Sequence, residues 1–249
     1  MRILLLAAGY ATRMHPLTLN KAKPLLDVGG RPVISRLLDV LLIKCEVEEV
    51  VVVTNHKFAS DFEAWASEYR RIEGEGVPIR VIDDGSTNDE DKLGAIGDMN
   101  LGMGTAPEDD WVVAAADNLL ETDLSAQLAL FEEHGDAVIT VRRLEGTIPP
   151  KTYGEVHISE EGVVTGFIEK PEVPSSDLVS IGLYLYPRKI VARIHEYLDS
   201  GGNPDAPGFF AAWRSEQETV RSQLLDGLWG DIGSLETLAE ARAAYESRA

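Results

Sequence analysis

Apolar residues in this chain gather in short dense runs, and the stretches between them repeat every three or four positions. Residues 2–7 (RILLLA) read as a strand buried on both faces. Over 33–44, Ile34, Leu37, Leu38, Leu41 and Leu42 fall on one side of a helix. EVVVVT (49–54) predicts a second strand, 58–71 an acidic amphipathic helix, and PIRVID (78–83) a third strand. WVVAAAD (111–117) predicts another buried strand, followed by a helix over about 124–134 and a strand over 136–141. Buried strands that alternate with amphipathic helices predict an α/β fold, a Rossmann-like and mostly parallel sheet with helices on both faces.

The pattern changes in the second half. YGEVHIS and VVTGFIEK alternate apolar with polar residues on either side of EEG, which predicts a β-hairpin. LVSIGLYLYP (178–187) is a further strand closed by Pro187, with helices expected over 188–199 and 206–216 and a strand over 219–225. A final helix should start after Ser234, whose hydroxyl suits an N-cap. Loops rich in Gly, Pro, Asp and Ser lie at 84–91, 145–152, 171–177 and 200–208, and none reads as a flexible linker. A single domain over 1–249 is expected, with halves of about 1–118 and 119–249; two domains meeting near residue 120 are the alternative.

Charge narrows the partners. The 42 acidic and 23 basic residues give a formal charge of −19, a field that repels nucleic acid and anionic membrane surfaces. A polyanionic ligand would therefore need a local cationic site. Cys45 is the single cysteine, so neither a disulfide framework nor a thiolate metal cluster is expected. The opening apolar run ends within six or seven residues and Arg13 follows, unlike a secretory leader; a cytoplasmic protein with no membrane span is the expectation.

That local site has a candidate. Ligands of open α/β sheets collect outside the carboxyl ends of the strands, where residues 8–24 begin. Gly9 has no Cβ to obstruct a phosphate, and the amides from Ala8 to Thr12 can form an anion-binding nest. Arg13 adds a planar fork and Lys23 a point charge. A tight turn followed by ordinary surface cations is the structural alternative. The segment is neither a P-loop nor a dinucleotide fingerprint, because the glycine spacings of both are missing.

Residues 6–34 (LAAGYATRMHPLTLNKAKPLLDVGGRPVI) resemble the opening motif of the sugar-1-phosphate nucleotidylyltransferases, such as the glucose-1-phosphate thymidylyl- and uridylyltransferases. VVAAADN (112–118), YGEV (153–156), GFIEKP (166–171), SIGLY (180–184) and LWGDIGSLETLAEA (228–241) continue the resemblance in family order. Ala11, Ala22 and Ala116 stand where the family usually has Gly, Pro and Gly, and DDGSTNDEDKLGAIGDM (83–99) departs from its Gln-rich base-reading loop.

The resemblance implies transfer of a nucleotidyl group from an NTP, dTTP or UTP first, onto a sugar 1-phosphate. The first half would bind the nucleotide and the second, with its hairpin, the sugar phosphate. Asp117 and Asp231 would hold Mg²⁺, a hard ion often held by one or two carboxylates plus water and phosphates. Arg13, Lys23 and Lys170 would be the catalytic cations, Lys170 on the sugar's phosphate. Ala7, Ala8, Gly9 and Thr12 would line the triphosphate, Gly94 would allow close approach of the base, and Asn88 or Asp89 would contact it. Gly154, Glu169, Ser180 and Tyr184 would meet the sugar. Two alternatives stay open: a cytidylyltransferase acting on a phosphorylated alcohol such as phosphocholine, and a non-catalytic subunit that senses nucleotide sugars. Homo-oligomerisation is common in the family and is not readable from the sequence.

Overall fold

The computed structural model describes residues 1–74 and 76–246. The chain divides into two compact units, each assembled from separated segments. The first comprises Met1–Lys92, Ala114–Leu124 and Gly227–Ala249, the second Leu93–Val113 and Ser125–Asp226. The expected α/β fold is borne out, with parallel strands flanked by helices.

In the first unit, strands Arg2–Leu6, Val50–Thr54 and Ile79–Asp83 pair in parallel, with Ile3 opposite Val50 and Val50 opposite Ile79. All five residues of Val50–Thr54 are buried. That is why this strand reads as an unbroken apolar run rather than an alternation. The helices Val33–Leu41 and Ala59–Glu73 follow their strands, and the Trp65 indole N–H donates to the Ser35 hydroxyl at 2.8 Å to join them.

A second, smaller layer of this unit is built from distant parts of the chain. Asn118–Leu120 pairs antiparallel with Trp229–Asp231, placing Asn118 opposite Asp231. Met14, Leu26, Val28, Val33, Leu119, Ile232 and Leu238 form one core beneath it. The closing helix, Leu235–Glu246, is capped as expected: Ser234 Oγ accepts the Thr237 amide, and Thr237 Oγ1 accepts the Gly233 amide, both at 3.1 Å. Arg242 ties this helix to the Asp27 carbonyl at 2.9 Å, and the Arg36 guanidinium lies 4.1 Å from the Tyr245 ring centre. These contacts fix the segment that carries Asp231.

In the second unit, Leu178–Tyr186 pairs antiparallel with both Ala137–Arg143 and Gly154–Ile158, and Val220–Leu224 runs parallel to Ala137–Arg143. The expected hairpin is present as Gly154–Ile158 against Val164–Ile168. Tyr186, Tyr197, Phe210 and Trp213 pack ring against ring beside it. Among the described residues no helix is long and apolar enough to cross a membrane.

Three expectations need correction. The strand expected over 111–117 stops at Ala115, and Asp117 occupies the turn before Asn118–Leu120. The helix expected over 33–44 ends at Leu41, and Lys44 takes a left-handed φ of 65°. The stretch after residue 91, where no element is expected, holds the helix Ala95–Met103, which buries Ile96, Met99 and Met103.

Candidate functional site

The turn after the first strand is held from behind. Thr54 Oγ1 donates to the Ala7 carbonyl at 3.3 Å and Asn55 Nδ2 to the Ala8 carbonyl at 2.9 Å, both from fully buried side chains. With those carbonyls engaged, the amides from Ala8 to Thr12 have no hydrogen-bond partner among the described residues. A Cβ on Gly9 would meet nothing within 4 Å, so the space beside it is open.

The left-handed residue of the turn is Ala11, with φ 49° and ψ 42°. A family Gly at this position is thereby explained, since an L-residue in that region is strained by about 1–2 kcal/mol. Thr18 Oγ1 donates to the Ala11 carbonyl at 2.8 Å and helps hold the strained geometry. Sequence reasoning passed over Thr18 and Asn55 because their partners are backbone carbonyls distant in the chain.

Beside this turn the two aspartates come together. Pairing of Trp229–Asp231 with Asn118–Leu120, with the Ile232 amide donating to the Asp117 carbonyl at 3.3 Å, sets Asp231 next to Asp117. Lys23 stands at the start of the short turn Lys23–Leu25 and forms an ion pair with Asp117. Ala22 before it is 1% exposed. Burial works to lower the Lys23 pKa, but Asp117 and Asp231 outweigh it and hold the ammonium above its ordinary value. Burial and the charge of Asp117 push Asp231 up to about 6, with Lys23 and Arg13 opposing them.

Two part-buried carboxylates that repel each other suit a divalent cation. Their all-oxygen, hard donor character fits Mg²⁺. Among the described residues no group of three or more His, Cys, Asp or Glu is arranged to hold a metal. The remaining ligands would therefore be phosphate oxygens and water, the usual division for this ion.

The loop expected to read the base is internally ordered. Asp91 accepts the amides of Thr87 and Asn88 at 2.9 Å each, and Asn88 Oδ1 accepts the Glu90 amide at 2.8 Å. The Asn88 side chain is thus already engaged within the loop. Ser86, buried and bonded to Asp84 Oδ1, lies 3.4 Å from the Tyr10 hydroxyl, which links this loop to the glycine turn. Gly94 belongs to the second unit, where a Cβ would lie 2.5 Å from the Pro204 carbonyl oxygen. Its missing side chain therefore serves the chain's own packing.

The second unit also holds the residues expected to meet the sugar. Glu169 is 8% exposed, with Oε1 3.7 Å from Lys170 Nζ. Burial raises the Glu169 pKa and Asp205 adds to it, while Lys170 opposes both. Lys170 has a left-handed φ of 48°, with its amide donating to the Tyr153 carbonyl at 3.2 Å. Gly154 opens the hairpin strand beside Phe167 and Glu169. Ser180 and Tyr184 are buried and bond to one another at 3.1 Å, so their hydroxyls are already paired.

Residues 2–248 match the Nucleotidyl transferase family, and the chain belongs to it. It is 25% identical over 249 residues to a mannose-1-phosphate guanylyltransferase catalytic subunit beta of Drosophila pseudoobscura pseudoobscura, covering 99% of this chain and 62% of that protein. The chain thus spans less than two thirds of that relative's length. Two solved structures share the fold. A UDP-glucose pyrophosphorylase complexed with UDP-glucose superposes with a TM-score of 0.83 at 21% identity, over 100% of this chain and 99% of that one. A UDP-glucose pyrophosphorylase from Acinetobacter baumannii gives 0.79 at 20% identity, over 98% and 92%.

Proposed function

We propose that the protein is a Mg²⁺-dependent nucleotidylyltransferase that couples a nucleoside triphosphate with a sugar 1-phosphate, releasing pyrophosphate and a nucleotide sugar. The observation that carries this reading is the gathering of Asp117, Asp231 and Lys23, with Arg13 acting on the same charges, from opposite ends of the chain into one unit.

The chemistry follows from charge. A sugar 1-phosphate already presents an anionic oxygen, so no general base is needed. The obstacle is repulsion between that oxygen and the α-phosphate it must attack. Preorganised cations and alignment are the effects that lower such a barrier. Mg²⁺ bound by Asp117 and Asp231 would neutralise charge on the α-phosphate and pyrophosphate oxygens. Arg13, Lys23 and the free amides of Ala8–Thr12 would hold the triphosphate, with Arg13 and Lys23 balancing charge as pyrophosphate departs. In the second unit Lys170 would hold the sugar's phosphate, and Glu169 with the Gly154 backbone would meet its hydroxyls. The sugar-phosphate oxygen forms the new P–O bond at the α-phosphorus, and the bond to pyrophosphate breaks with its electron pair leaving on pyrophosphate.

UTP and dTTP lead the choice of base by the resemblance, and the guanylyltransferase relative adds GTP. Pyrophosphate release should be measured with all common nucleoside triphosphates against glucose, mannose and galactose 1-phosphates and phosphocholine. At least one sugar 1-phosphate pair should turn over only with a divalent cation. Turnover with phosphocholine alone would move the protein to the alcohol class. Tight nucleotide-sugar binding without turnover on any pair would make it a sensor.

A further inference from the structure

The second residue of the helix Pro207–Gln217, Gly208, is poorly suited to a helix. Gly208 does not take a left-handed φ, so its backbone does not require glycine. Alanine would favour the helix there by about 1 kcal/mol. What excludes a side chain is other side chains. A Cβ on Gly208 would lie 1.8 Å from Glu169 Oε2, 2.8 Å from Glu169 Cδ and 2.8 Å from Phe167 Cε1. Gly154, on the hairpin strand, faces the same group: its Cβ would lie 2.9 Å from Glu169 Oε2 and 2.7 Å from Phe167 Cζ. One carboxylate oxygen is therefore lodged where two side chains are missing, with the Phe167 ring as a wall. The other oxygen, Oε1, is left 3.7 Å from Lys170 Nζ.

We propose that Gly208 is a positioning residue for sugar 1-phosphate capture: with Gly154 it leaves a slot that takes Glu169 Oε2 and so fixes the carboxylate beside Lys170. The inference rests on the reading of Glu169 and Lys170 as sugar-phosphate contacts. The slot itself rests only on geometry within the second unit. A Cβ at 208 would displace the carboxylate, because a 1.8 Å separation leaves no room for both. Glu169 would then leave its buried setting, where burial now raises its pKa.

The test uses the full chain as Gly208→Ala, Glu169→Ala and the double variant. Measurements are KM for each substrate, melting temperature, and titration of the Glu169 carboxyl by carbon NMR in wild type and Gly208→Ala. Gly208→Ala should raise KM for the sugar 1-phosphate about tenfold, leave KM for the triphosphate within about twofold, and move the Glu169 titration down toward the ordinary carboxylate range. In the Glu169→Ala background the same substitution should change neither KM by more than about twofold. The melting temperature should fall less there than in the protein that keeps Glu169, because only the 2.8 Å approach to Phe167 Cε1 remains.

An unchanged Glu169 titration in Gly208→Ala would overturn the proposal. So would an equal KM penalty with and without Glu169, which would make Gly208 a structural residue only. If Glu169→Ala leaves sugar capture intact while the titration still moves, the slot stands and the role given to Glu169 fails. If wild type turns over no pair, the carboxyl titration and the melting temperatures of the single and double variants still decide the slot.

Discussion

Replacing Asp231 with asparagine should stabilise the metal-free protein while abolishing its activity. Asp231 shares a part-buried site with Asp117, and its pKa rises from 3.8 to about 6 in the folded chain. Such a rise corresponds to roughly 3 kcal/mol of destabilisation of the charged form. That shift already contains the opposing attraction of Lys23 and Arg13, so the neutral asparagine should gain up to about 3 kcal/mol above the window of titration. The sign follows from proton binding. Between about pH 4 and pH 6 the folded state holds the Asp231 proton more tightly than the unfolded state does. Wild-type stability should therefore fall as pH rises through that window and level off above it, a dependence that Asp231→Asn lacks. Calorimetry in the presence of a chelator reads this directly. At pH about 7.5 the variant should melt higher by roughly 2–4 °C for each kcal/mol gained, and the gap should close toward pH 4. Adding Mg²⁺ and the triphosphate should raise the wild-type midpoint far more than the variant's, because only the native site binds them well. A variant that melts lower without metal, or a gap indifferent to pH, would refute the reasoning.

Other substitutions probe the supports of the site. Asn55→Ala removes a buried donor to the Ala8 carbonyl and an acceptor for the Phe58 amide. It should lower stability by about 1–3 kcal/mol in denaturant titrations and raise KM for the triphosphate more than for the sugar phosphate. Ala11→Gly relieves a left-handed alanine at some entropic loss, so chemical denaturation should find it neutral to about 1 kcal/mol more stable. Ser234→Ala removes the cap of the closing helix and should lower stability by about 1 kcal/mol, read as a lower denaturation midpoint. Lys170→Ala should weaken capture of the sugar 1-phosphate; a kinetic effect confined to the nucleotide would remove Lys170 from that role.

Much of the scaffold was legible because burial imposes period and composition. The valine run of 50–54 and the amphipathic stretches of 33–41 and 59–73 declare themselves locally. The helix Ala95–Met103 was missed although Ile96, Met99 and Met103 share a helical face, because Gly97 and Gly102 look like loop punctuation. The pairing of Asp231 with Asn118 leaves almost no local trace. Its two strands are three residues each, and only the family resemblance links the two aspartates. At the turn after the first strand the sequence drew attention to Gly9, yet the left-handed residue is Ala11, and nothing about an alanine announces that conformation. Gly208 was illegible for a similar reason: the group that forbids its side chain belongs to a residue far away in the chain.

The proposed chemistry requires the Asp117–Asp231 pair to serve a divalent cation during nucleotidyl transfer. Pyrophosphate release should be followed with the best substrate pair across a Mg²⁺ titration, for wild type, Asp117→Asn and Asp231→Asn at matched fold content. Saturable, metal-dependent turnover in wild type and loss of at least about a hundredfold in each variant are predicted, as expected for removal of a group acting on transition-state charge. Turnover that persists near the wild-type rate in either variant, or that is indifferent to divalent cations, would contradict it.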